Sequence, residues 1–168
     1  LILTTDGGVN TTLFENLLDS IIENALQVAS ALNNAKPNIA MLALVEKVSE
    51  KLPETGFAHN TAERYKDDSR FTIEGPIALD VALSGTAAKA KKIISKIAGK
   101  TDIFIGPNIT ATNFISKMLL SIGNAKGGGV IIGAKIPIIL LSRSDIMETK
   151  LNSIALGLSI YHNQFNMR

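Results

Sequence analysis

The chain has no cysteine, and histidine occurs only at His59 and His162. The first absence removes disulfide frameworks, cysteine nucleophiles and thiolate metal sites. The two histidines are far apart, and neither sits beside a candidate nucleophile, so a histidine-based triad or a metal site has no support and both read as surface residues. Aromatic residues are scarce, six Phe and two Tyr, and the net charge is only +2. That leaves little for base stacking or for a phosphate-neutralising surface, so no nucleic-acid partner is expected. Lys135 and Pro137 interrupt the longest apolar stretch before it reaches membrane-spanning length, and the start lacks a charged-then-apolar export pattern. The expectation is a soluble cytoplasmic protein with no membrane partner and no metal.

What remains is a chain of 168 residues with 46% apolar composition, enough for one compact domain or for a domain plus part of a second. It opens on Leu1 and enters a strand at once, which suggests a piece of a longer polypeptide. Ile2 to Thr5 reads as that strand, closed by Asp6-Gly7-Gly8. A helix follows, with Leu13, Leu17, Ile21, Leu26, Ala29 and Leu32 at helical spacing and Phe14, Leu18, Ile22 and Ala25 widening the stripe. Further strands are expected at Asn38 to Leu44, Phe71 to Glu74, Asp102 to Ile105, Gly127 to Ile132 and Ile136 to Leu141. Between them the pattern predicts a short helix near Thr61 to Lys66, helices from Ile77 and over Thr86 to Ile97, and one carrying Phe114, Ile115, Met118, Leu119 and Ile122. A last helix runs from Asp145 to about Tyr161. Strands alternate with helices and lack period-two alternation, so the fold class is α/β, a mostly parallel sheet with helices on both faces.

In such sheets ligands gather at the carboxyl ends of strands. Thr4-Thr5-Asp6-Gly7-Gly8-Val9-Asn10 places a carboxylate and an amide at one such end, though an ordinary turn explains it equally. Glu74-Gly75-Pro76-Ile77-Ala78-Leu79-Asp80 is a second turn with one acid before it and one after. Gly106 to Asn113 opens a helix with Asn108 or Thr110 able to cap free N–H groups, a place where anions also bind. Gly127-Gly128-Gly129 lacks the lysine and hydroxyl residue of a Walker loop and favours a plain turn. Ser142-Arg143-Ser144-Asp145 follows the last apolar run. The guanidinium there suits phosphate or carboxylate, with a salt bridge capping the next helix as the rival reading. The run Lys89, Lys91, Lys92, Lys96 and Lys100 reads as a solvated helix face.

Taken in order, ILTTDGGVN, EGPIALDVALS, AGKTDIFIGPNITATNFISKML and GGGVIIGAKIPIILLSRSD resemble the phosphate acetyl- and butyryltransferase family, and EGPIALD resembles the butyryl subgroup more. The resemblance implies a two-domain protein with an isocitrate/isopropylmalate dehydrogenase-like fold. Residues 1–133 would form most of the second, dimerising and cleft-forming domain, and 134–168 a strand and helix returning to a first domain largely outside this sequence. It implies transfer of a short acyl group, acetyl or butyryl, between coenzyme A and inorganic phosphate. Coenzyme A would be a substrate, no cofactor would be tightly bound, and the protein would be a homodimer.

By match to the family motif, Ser142 would lie near the thiol or the developing oxyanion and Arg143 would hold phosphate. Asp80, Asn108, Asn113 and Lys117 are the candidates for holding substrate. The sequence departs from the acetyltransferase pattern at two places. Thr149 stands where that pattern has an aspartate proposed as base, with Glu148 adjacent. Leu120 and Ser121 stand where it has an arginine, with Lys117 one turn earlier. Similar domains fused to malic enzymes sense acyl-coenzyme A without transferring it, and a regulatory module of that kind is the alternative.

Overall fold

The computed structural model describes residues 1–11 and 15–166. Its elements are β1 (Leu3–Thr5), α1 (Glu15–Ala31), β2 (Asn38–Leu42), α2 (Pro53–Arg64), β3 (Thr72–Ile77), α3 (Leu79–Leu83), α4 (Gly85–Ala90), β4 (Ile103–Ile105), α5 (Ile109–Ser121) and α6 (Met147–Asn166). The expected start of the first helix at Leu13 and Phe14 lies outside the described residues.

Four strands form one sheet in the order β1-β4-β2-β3, and every pairing is parallel. The central register sets Ile39 beside Ile103, Ala40 beside Phe104 and Met41 beside Ile105. Because side chains alternate across a strand, Ile39, Met41, Ile103 and Ile105 share one face, packed on Leu18, Ile22 and Ala25 of α1 and Ala58 of α2. Ala40, Leu42 and Phe104 share the other, packed on Val81 and Ala82 of α3, Ala88 of α4 and Ile115 of α5. Burial on both faces explains why the strands are apolar throughout instead of alternating. Each fully buried Ile contributes about 1.5–3 kcal/mol, so the β2–β4 pair is the core of the domain.

Local chemistry explains where the helices begin and stop. Asn33 takes the left-handed conformation (φ 62°) and the Asn34 N–H donates to Ala29 O at 2.9 Å, which ends α1. Helix α2 starts well before the expected Thr61, because Pro53 occupies its first turn, where a missing N–H costs nothing. Helix α4 stops at Ala90, short of the expected Ile97. Lys92 adopts φ 57°, and Glu74 then captures the chain, accepting from Ser95 Oγ at 2.5 Å and from the Lys96 N–H at 2.7 Å. Strand β3 runs through Gly75-Pro76 instead of ending there. A Cβ at Gly75 would stand 2.5 Å from Met41 Cβ, so only glycine lets β3 lie against β2 at this point.

The two strands expected over 127–132 and 136–141 are not formed. One antiparallel bridge joins Ile131 and Ile138, through N–H to O contacts of 2.8 and 2.9 Å. Ile136, Ile138, Ile139 and Leu140 are exposed, not buried. A strand needs a neighbouring ladder to satisfy its backbone, and no strand of the sheet pairs with this segment. Gly127 to Gly129 instead packs on α6: the Gly129 N–H donates to Ser153 Oγ at 3.0 Å, and Asn152 Nδ2 donates to Gly127 O at 3.2 Å. Helix α6 buries Ser153 and Ile160 completely, yet Met147, Leu151, Ile154, Leu158 and Tyr161 form a second, exposed stripe at alternating four- and three-residue spacing.

The tightest constraint lies where β4 turns into α5. A Cβ at Gly106 would overlap Thr112 Oγ1, the side chain that donates to Asn108 O at 2.9 Å within the first turn of α5. Gly106→Ala must therefore push α5 off the strand end. The expected cost is about 1–3 kcal/mol, read as a lower urea midpoint with an unchanged slope.

Candidate functional site

The carboxyl ends of β1 and β4 are tied to α5 by polar contacts. Asp6, buried at the end of β1, accepts the N–H groups of Gly8 and Val9 at 2.9 Å each and of Asn10 at 2.8 Å, and the Asn10 amide at 2.6 Å. Burial pushes its carboxyl up, but these donors outweigh that and hold it below the ordinary aspartate value. Three convergent N–H groups are what a bound anion would seek. Here the chain's own carboxylate fills that nest, so the loop is neither a phosphate cradle nor a source of a free base.

Asn113 Nδ2 donates to Gly7 O at 2.8 Å, holding the same loop to α5. Thr4 Oγ1 and Ser116 Oγ lie 2.9 Å apart. Asn108 Oδ1 accepts the Ala111 N–H at 2.9 Å and so caps the helix. Of the residues singled out on this helix, Asn108 and Asn113 are thus committed to positioning. Lys117, one turn beyond Asn113, is exposed and has no partner among the described residues.

Asp80 lies in the first turn of α3, just beyond the carboxyl end of β3. Lys91 Nζ donates to its Oδ1 at 2.8 Å and to Glu46 Oε1 at 2.9 Å. Its hydrogen bond to Lys91 is the main reason that Asp80 lies below the ordinary aspartate value. All five lysines of the run are exposed, as expected, but only Lys89 lies in a helix, and Lys91 also bridges the loop after β2 to α3. Sequence reasoning missed Glu46, because nothing local to it signals a partner 45 residues away.

Between the ends of β2 and β4 opens a crevice of about 260 Å³. Met41, Leu42 and Ala58, all buried, line it together with Phe57 and Pro107, and Glu54 is the only ionisable group in its wall. The connections from these two adjacent strands leave toward opposite faces, β2 to α2 and β4 to α5, and such divergence is what opens a cleft at a sheet edge. Phe57 had no signal in the sequence because the Ser49 to Arg70 stretch reads as a polar connection. The Pro53 start of α2 would have revealed it.

Ser142 and Arg143 lie in the exposed segment leading into α6, and Glu148 in the first turn of that helix. The Ser142 N–H donates to Asp145 Oδ2 at 2.8 Å, and Ser142 Oγ lies 3.0 Å from Ser144 Oγ. Glu148 Oε1 pairs with Lys126 Nζ at 2.8 Å. Arg143 is exposed and makes no ion pair among the described residues, so the expected rival, a bridge to Asp145, is not formed. No hydrogen bond or ion pair joins these three residues to Asp80, Asn108, Asn113 or Lys117. No group of three or more acidic or imidazole side chains among the described residues could hold a metal, and no described helix is long and apolar enough to cross a membrane.

The family model described as phosphate acetyl/butaryl transferase matches residues 1–158. The chain belongs to that family. It is 37% identical to a phosphate butyryltransferase of Clostridium acetobutylicum, over 98% of this chain and 55% of the relative. It is also 37% identical to a phosphate acetyltransferase of Thermotoga maritima, over 94% of this chain and 54% of the relative. Its fold superimposes on the crystal structure of a branched-chain phosphotransacylase from Enterococcus faecalis with a TM-score of 0.89 at 35% identity, over 96% of this chain and 58% of that one. The chain spans about half the length of the curated relatives it matches.

Within this member of the family the Asp6 loop is a charge-dependent latch. A carboxylate whose folded pKa is lowered stabilises the fold above its unfolded value, and that stabilisation is lost as pH falls through the folded pKa. The wild type should lose stability below about pH 4 as Asp6 protonates. Asp6→Asn should cost about 1.5–3 kcal/mol at pH 7 and flatten this acid limb. Urea titrations of both forms from pH 7 to 3 check it.

Proposed function

We propose that the full-length protein is a phosphotransacylase that moves a short acyl group, acetyl or butyryl, between coenzyme A and inorganic phosphate. In one direction a phosphate oxygen attacks the thioester carbonyl, the C–S bond breaks and coenzyme A leaves as thiolate. In the other the thiolate attacks the carbonyl of the acyl phosphate, the C–O bond to the phosphoryl group breaks and inorganic phosphate leaves. Neither direction needs a covalent enzyme intermediate or a tightly bound cofactor. The observation that carries this reading is Arg143, an exposed guanidinium inside the family-matched region without an acidic partner among the described residues. Uncommitted, it can give two parallel hydrogen bonds to a phosphate. Ser142 beside it would donate to the thiol or to the oxyanion that develops at the carbonyl.

Lys117, equally free, is the second cation offered to an anionic substrate. Asn108, Asn113 and Asp80 act on substrate through the elements they hold: Asn108 and Asn113 set α5 against the Gly7 loop, and Asp80 sets Lys91. Glu148 takes the place of the missing aspartate as base, and must exchange Lys126 for the reacting proton. A thiol of pKa about 8.5 is already a few per cent ionised near pH 7, so the demand on that base is modest.

The complete enzyme in this reading has two domains in an isocitrate/isopropylmalate dehydrogenase-like arrangement and works in the cytoplasm. Residues 1–133 are the second domain and 134–168 return to the first. The exposed Ile136, Ile138, Ile139 and Leu140 and the second stripe of α6 support this, since an apolar surface of that extent calls for a covering partner. Phe114, Met118 and Ile122, exposed on α5, support a homodimer through the second domain.

Phosphate-dependent release of thiol from acetyl-, propionyl- and butyryl-coenzyme A tests the reading in the full-length protein. Binding without turnover would instead identify an acyl-coenzyme A sensor. Arg143→Ala should lower kcat/KM by about 10²–10³, mainly through phosphate, and Arg143→Lys should restore part. Because Arg143 has no structural partner, Tm should not change; a lower Tm with an unaltered phosphate KM would remove it from catalysis. Glu148→Gln should slow acyl transfer to coenzyme A by about 10²-fold and transfer to phosphate less. Initial rates in both directions separate the two.

A further inference from the structure

We propose that the crevice between the carboxyl ends of β2 and β4 receives the acyl chain, and that Phe57 sets the chain length accepted. The inference rests on the phosphotransacylase reading, and adds to it the part of the substrate that neither Arg143 nor Ser142 can recognise.

The crevice repels the rest of the substrate. Its lining contains no Lys or Arg, and its one ionisable group, Glu54, is a carboxylate that opposes phosphate. The adjoining start of α2 offers an anion little. Pro53 brings no N–H to the first turn, and the Thr55 N–H is already given to Leu52 O at 2.9 Å. The amides of the pantetheine arm would find few polar partners among Met41, Leu42, Phe57, Ala58 and Pro107. An uncharged alkyl chain needs none.

Size allows it. The crevice, of about 260 Å³, has room for a four-carbon chain as well as for an acetyl methyl. Its floor is rigid: Met41, Leu42 and Ala58 are buried core positions, and Gly75 fits only because it has no side chain to strike Met41. Phe57 is the large lining side chain that is only partly buried, packed at the margin of the core. A change there alters the crevice without emptying the core. A second cavity, of about 60 Å³, lies under α3 and α5, is lined by Leu79, Leu83, Phe104 and Ile115 among others, and is too small for the same role.

The test is the ratio of kcat/KM for butyryl- over acetyl-coenzyme A, at fixed phosphate, in the full-length protein. Each buried methylene is worth about fourfold. Phe57→Ala should therefore raise the ratio, or extend it to longer chains, and Phe57→Trp should lower it, with about tenfold or more between the two variants. General damage to the fold lowers both substrates together and leaves the ratio where it was. An unmoved ratio in folded, active variants overturns the assignment, and Phe57→Leu replaces Phe57→Ala if the latter does not fold. Absence of turnover in the wild type defeats the transfer reaction, not the crevice. In that case calorimetric binding of butyryl- and acetyl-coenzyme A decides, and an affinity ratio insensitive to Phe57 overturns the proposal.

Discussion

The groups at the carboxyl ends of β1 and β4 depend on one close approach, that of Gly106 to Thr112. With no Cβ at Gly106, the first turn of α5 can fold directly against the end of β4, and Thr112 closes the turn by donating to Asn108 O. Asn108 then caps the helix, and Asn113 reaches back to Gly7. The Asp6 loop is thereby held to α5, and Pro107 is left as one wall of the crevice. A β4–α5 connection even slightly wider would separate these groups together, because each position follows from the one before it. Packed interiors transmit such displacements instead of absorbing them.

The second organising feature is the way charge is spent. Asp6 is saturated by backbone N–H groups, Asp80 and Glu46 share Lys91, Glu74 holds the Ser95–Lys96 turn, and Glu148 pairs with Lys126. On the far side of the domain Asp19 receives Arg64 and Tyr65, and Glu23 receives Arg70, so α1 is laced to α2 and to the approach to β3. Burial and the bond to Asp19 push the Tyr65 hydroxyl up to about 12, so it remains a proton donor at any physiological pH. Acids that could have served as bases are mostly occupied in structure, whereas Arg143 and Lys117 have no such duty. An excess of uncommitted cations over uncommitted anions suits the proposed reaction, whose substrates would carry phosphate.

The α/β class, the four parallel strands, α1 and α5 were legible because their residues report on a local environment. Ile39, Met41, Ile103 and Ile105 are apolar because they are buried, and Asn33 and Asn108 stand at helix ends because their side chains and backbone suit those positions. The strands read into 127–141 show where that logic stops. Their composition is that of buried strands, but forming a strand depends on a neighbour with free N–H and C=O groups, and composition cannot supply one. The short α4 is a second case: Ile93 and Ile97 continue the helical spacing, and Glu74 overrides it from 22 residues away.

The candidate site divides along the same line. By itself the sequence determined the family, through four ordered segments ending in Ser142-Arg143, and with it the residue types suited to phosphate. It also marked the turn at Gly106, whereas the turn expected at Gly75-Pro76 lies within β3. Only the tertiary structure decided that Asp6 is consumed by its own loop, that Lys91 joins Glu46 to Asp80, and that Phe57 meets Met41 and Pro107 across an apolar crevice. The physical reason is range. Propensity, capping and periodicity act over a few residues, whereas each of these pairings except the Asp6 turn joins positions separated by a strand or a helix, and their meeting is fixed by the parallel order β1-β4-β2-β3.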